Sequence, residues 1–137
     1  MKILAIDTSG PVCGVAILVN GAVAYEAATV NKMTHSVNLL PMIDAACQAA
    51  GLTIADMDRI ACVVGPGSFT GVRIGVSTVK GLAHAHGTAC VAVVEWPSQC
   101  PEAIPETHLA IRLEPSGENE REITFEPMGD FREILFD

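Results

Sequence analysis

The chain has 137 residues, half of them hydrophobic and 18% charged, which suffices for one core or for one core with an appendage. No apolar run approaches the roughly 20 residues of a membrane span, and Asp7 interrupts the opening MKILAIDTSG before it can serve as a signal-peptide core, so the sequence reads as cytoplasmic, without a membrane partner. The net charge of −8 is unevenly held: residues 1–94 balance five basic groups against five carboxylates, while residues 95–137 set three arginines against eleven carboxylates. Neither part carries the excess of Lys and Arg that direct capture of a nucleic acid requires. The five cysteines are odd in number and form no C-x-x-C pair, so neither a disulfide framework nor a zinc site is indicated.

In chain order, MKILAI predicts a first strand and Asp7-Thr8-Ser9-Gly10-Pro11 a tight turn. Val12 to Val19 is a nearly continuous apolar run of strand length, and Asn20-Gly21 supplies the two positive-φ residues of a type I′ hairpin into a third strand, AVAYEAATV. From Thr34 the period changes. Leu39, Leu40, Ile43, Ala46, Cys47 and Ala50 recur at spacings of three and four, which marks one apolar face of a helix, with Gly51 as its stop. Pro41 falls inside this helix and is expected to kink it or to confine regular structure to its C-terminal side.

DRIACVV predicts a fourth strand, a glycine-rich loop follows, a second helix runs from about Thr70 to His86, and Val91 to Val94 is a fifth strand. The order β-β-β-α-β-α-β predicts an α/β fold with a mixed sheet, because a parallel neighbour needs a crossover helix. Beyond Val94 the prolines Pro97, Pro101, Pro105 and Pro115 punctuate the chain. HLAIRLE and REITFE alternate around the turn SGEN, predicting a C-terminal β-hairpin with an acidic outer face. The expected division is residues 1–94 and 95–137.

The loop GPGSFTGVRIG has the look of a phosphate cradle but lacks the lysine of G-x-x-x-x-G-K-[ST]. It retains a helix start, which attracts anions weakly. A nucleotide or anion site would therefore draw on Gly65, Gly67, Ser68 and Thr70, together with Asp7, Thr8 and Ser9 at the end of the first strand; the bland reading is a tight turn that delivers the second helix onto the sheet. Along that helix Gly71, Gly75 and Thr78 share one nearly bare face, which makes sense where another helix approaches closely, although packing of both helices on their own sheet accounts for it equally. His35 has no second histidine at i+4, and His84 and His86 point to different sides, so no metal is expected. Ser68 is not in a G-x-S-x-G elbow, and no catalytic group can be assembled.

ILAIDTS, the NG turn, HSVNLLPMI, VVGPGSFTGVRIGVSTVKGLAHAHG and CVAVV together resemble the N-terminal domain of the TsaB family, which serves threonylcarbamoyladenosine formation at position 37 of tRNA. The resemblance covers Met1 to about Val94. It implies an actin-like ATPase, ribonuclease-H-like half domain without catalytic residues or an obligatory cofactor. It further implies a dimerization subunit that docks on a TsaD-like catalytic subunit through its two helices, in a complex that includes a TsaE-like ATPase, and meets tRNA only indirectly. Carried over, the interface falls on His35, Leu39, Leu40, Ile43, Gly71, Val72, Gly75, Val76 and Thr78. From residue 95, VVEWP, IPETHLAIRLE and REITFEPMGD resemble the C-terminal end of TsaE, the ATPase of the same pathway, and the second TsaB domain does not follow. Two alternatives stay open: an actin-like ATP-binding protein or enzyme that uses Asp7 and the glycine loop, and a truncated or chimeric chain with impaired function. A homodimer and a heterodimer are both compatible with the pattern.

Overall fold

The computed structural model describes residues 1–30, 35–99 and 101–131. Thr34, at the start of the expected helical period, and Cys100 lie outside the described residues. The chain forms two compact units, Met1–Glu95 and Trp96–Asp137.

In the first unit, β1 (Lys2–Asp7), β2 (Cys13–Val19) and β3 (Ala22–Thr29) form an antiparallel meander. Asn20 and Gly21 both take positive φ at the β2–β3 turn, as the I′ hairpin requires. Helix α1 (His35–Ala50) crosses over to β4 (Arg59–Gly65), which lies parallel to β1, and helix α2 (Phe69–His86) crosses over to β5 (Ala89–Val94), parallel to β4. The sheet order is β3-β2-β1-β4-β5. The fifth strand begins at Ala89, two residues before the sequence signal, because Ala89 and Cys90 pair with Arg59 and Ile60.

Both helices cover one face of this sheet, α1 over β2 and β3 and α2 mainly over β4. Period-two alternation sends Leu4, Ile6, Val15, Ile17, Ile60 and Cys62 inward, where they meet Leu39, Ile43, Ala46 and Cys47 of α1 and Val79 and Ala83 of α2. The opposite face takes the alternate residues. There Val63 and, beside it in register, exposed Val93 continue an apolar surface of small side chains including Ala5, Ala16 and Ala61. Pro41 does not confine α1 to its C-terminal part: the helix is continuous from His35, and both Pro41 and Val37, whose carbonyl loses its i+4 donor, are on the solvent side.

In the second unit, β6 (His108–Pro115) and β7 (Arg121–Met128) form a two-stranded antiparallel sheet. The register sets Ile111 opposite Phe125 and Leu113 opposite Ile123, which gathers the apolar side chains on one face.

Candidate functional site

Two segments expected to hold an anion are brought together, and each is occupied by the other. Asp7 closes β1, and its Oδ1 accepts hydrogen bonds from the Ser9 backbone N–H at 2.8 Å and the Ser9 hydroxyl at 2.7 Å. The Ser68 N–H donates to the Ser9 carbonyl at 2.7 Å, and Ser68 caps α2 by accepting from the Gly71 N–H at 3.2 Å. Thr8 is fully buried, and its hydroxyl donates to the Gly71 carbonyl at 2.7 Å. Gly65 accepts from the Glu95 N–H at 2.9 Å. A Cβ on Gly67 would come within 2.8 Å of the Ser9 Cβ, so the glycine loop lies directly on the β1 turn. Thr70 instead faces the groove between the helices.

The same contacts correct the reading of the glycine stripe. Gly71 and Gly75 are buried and face their own sheet. A Cβ at Gly71 would collide with the Thr8 carbonyl, and one at Gly75 would lie 2.5 Å from Thr8 Oγ1 and 3.3 Å from Cys62 Sγ. The bare face lets α2 descend onto the end of β1, so these two glycines cannot meet another helix. Leu39 and Ile43 are likewise core residues rather than surface ones. His35 is half-buried, with Nε2 donating to the Gly10 carbonyl at 2.8 Å, which ties the start of α1 to the β1 turn. Val72 and Val76 are half-buried on a flank of α2 that does not line the groove.

What remains open is that groove, about 450 Å³, between α1 and α2. Ser36, Leu39 and Leu40 line one side; Phe69, Thr70, Arg73, Ile74, Ser77 and Thr78 line the other. Leu39 forms part of the floor, whereas Leu40 is 55% and Phe69 75% exposed, an unusual state for such side chains so close together. The Arg73 guanidinium stacks on Phe69, 4.8 Å from the ring centroid. Of the residues expected at an interface, Leu40 and Thr78 line this groove together with the buried Leu39. Sequence reasoning missed Phe69, Arg73, Ile74 and Ser77. The available signal was Ser68 as an N-cap, which would have started the helix at Phe69 and put Phe69 and Arg73 one turn apart.

No group of three or more potential metal ligands occurs among the described residues. Burial raises the Cys13 and Cys62 thiols above the ordinary value, with Asp7 adding to the effect, and burial likewise raises Cys47. These thiols are therefore protonated at neutral pH and poor nucleophiles.

The family described as "TsaD: tRNA N6-adenosine threonylcarbamoyltransferase" matches residues 28–97. The chain is similar to the tRNA threonylcarbamoyladenosine biosynthesis protein TsaB of Haemophilus influenzae, 42% identical over 86 residues, covering 61% of this chain and 35% of that protein. It is also similar to TsaB of Bacillus subtilis, 42% identical over 83 residues, covering 61% and 36% respectively. The chain thus spans about a third of the length of the curated relatives it matches. Among solved structures, YeaZ from Pseudomonas aeruginosa superposes with a TM-score of 0.66 at 27% identity, over 93% of this chain and 67% of that one.

Proposed function

The chain belongs to the TsaD family and has its actin-like half domain, and from this premise we propose that it is a TsaB-like, non-catalytic subunit of the threonylcarbamoyladenosine tRNA-modification machinery. Its role is to dock on a TsaD-type catalytic subunit through the α1–α2 groove. The observation that carries this reading is the exposed pair Leu40 and Phe69 beside a floor of Leu39 and Ile74. Burial of such a patch drives association, at about 25 cal/mol per Å² of apolar surface. A TsaE-like reading of residues 95–137 rests on their sequence motifs alone, and the family match to residues 28–97 and the TsaB relatives give it no support.

Sedimentation velocity with a TsaD-type catalytic subunit tests the docking reading. A heterodimer is expected, and Leu40→Glu is expected to weaken it at least about tenfold, as a charge buried against an apolar groove does. Gly75 is unsuitable for this test because its substitution strikes the fold itself. A second reading, ATP held by Asp7, Thr8, Ser9 and the glycine loop, has the two segments adjacent but requires them to part, because Thr8 is buried against Gly71 and Gly67 lies on Ser9. Calorimetry with ATP and magnesium checks it, and absence of heat at millimolar ligand removes it.

A further inference from the structure

Helix α2 differs in charge from the rest of the chain. The protein carries twice as many carboxylates as Lys and Arg, yet none of the 18 residues of α2 is acidic. Its two cations, Arg73 and Lys80, are both exposed and seven positions apart, so they lie on one outward stripe that begins at Phe69. Arg73 is the one charged residue lining the α1–α2 groove, and its guanidinium is held over the Phe69 ring with no ion pair among the described residues. The stripe therefore presents an apolar edge with fixed positive charge along it.

We propose that this stripe selects the occupant of the groove by charge: a heterologous helix whose apolar ridge is flanked by carboxylates that meet Arg73 and Lys80. The inference rests on the docking reading above and names the chemistry of its partner. A second copy of this chain is disfavoured in the arrangement that sets α2 on α2. A two-fold interface places the same patch on both sides, so the stripe would face itself, cation against cation. Complementary charge does the reverse, steering encounter and penalising the wrong partner. The carboxylate of α1, Asp44, lies outside the groove lining and accepts a hydrogen bond from Gln48 Nε2 at 2.7 Å, so the groove supplies no acid of its own.

The test measures two associations by sedimentation velocity, of the full chain with a TsaD-type catalytic subunit and of the chain with itself, at 50 and 500 mM salt. The heterocomplex is expected to be tighter than the self-complex at low salt and to weaken as salt rises, because screening shortens the reach of exposed charges to a few ångströms. Arg73→Glu with Lys80→Glu is expected to weaken the heterocomplex about tenfold or more, while Arg73→Lys with Lys80→Arg retains it. An unchanged dissociation constant in the charge-reversed variant, with Leu40→Glu still disruptive, overturns the charge inference and leaves docking intact. An unchanged constant for Leu40→Glu overturns the docking reading itself. Self-association tighter than the heterocomplex, and weakened by Asp44→Asn, also overturns the proposal by making the second copy the charge-matched partner.

Discussion

The two β-structures of this chain have the same alternating grammar and opposite fates. In the sheet of residues 1–95, the inward set Leu4, Ile6, Val15 and Ile17 is buried under α1 and α2. In the hairpin of residues 108–128, the gathered set Ile111, Leu113, Ile123 and Phe125 is exposed, Leu113 at 65%. Alternation thus decides which side chains share a face, and burial comes only where a second layer covers that face. A crossover connection supplies such a layer, whereas a hairpin turn does not. An isolated two-stranded sheet is marginal in water for this reason.

The comparison breaks most readily at paired truncations. Leu4→Ala removes a fully buried side chain and is expected to cost about 2–5 kcal/mol in urea unfolding, whereas Leu113→Ala is expected to change stability by less than about 0.5 kcal/mol. Equal losses would mean that the hairpin face is covered as well as the sheet. A smaller effect is expected at the seam between α2 and β1. Gly75→Leu must displace Thr8 and Cys62, at about 1–3 kcal/mol of overpacking, read as a lower melting temperature before any partner is added. Wild-type stability in this variant would put the bare helix face outside the core.

The smallest effect concerns acid. The hydroxyl and then the backbone N–H of Thr53, both donating to Asp56 Oδ2, hold the Asp56 carboxyl below the ordinary aspartate value in an exposed capping box. Since the folded form has the lower pKa, its contribution is complete above the ordinary value of about 3.9 and disappears as pH falls through the folded value. Asp56→Asn is expected to narrow, slightly, the gap between melting temperatures at pH 7 and pH 3. An unaltered gap would show that this box does not couple to folding.

Most of the fold was legible because its signals are local: alternation in the strands, the Asn20-Gly21 turn, and the three-and-four spacing of α1. The site was less so. A period of 3.6 identifies an apolar face without distinguishing core from interface, and it grouped Leu39 and Ile43 with Leu40, although only Leu40 is exposed. Gly71 and Gly75 misled for a related reason. Small residues reveal that something comes close, but Thr8, distant in sequence and fully buried, is what does so. Phe69 was hidden by its place at the loop–helix junction, where an exposed aromatic carries no periodic signal.

The central claim is that the exposed α1–α2 groove, rather than the glycine loop, is where this chain works. Sedimentation of the full chain with a TsaD-type catalytic subunit, comparing wild type with Leu40→Glu, tests it most directly. The account predicts a heterodimer with the wild type and at least about tenfold weaker association with the variant, at an unchanged melting temperature of the variant alone. An equally tight complex with Leu40→Glu would contradict it.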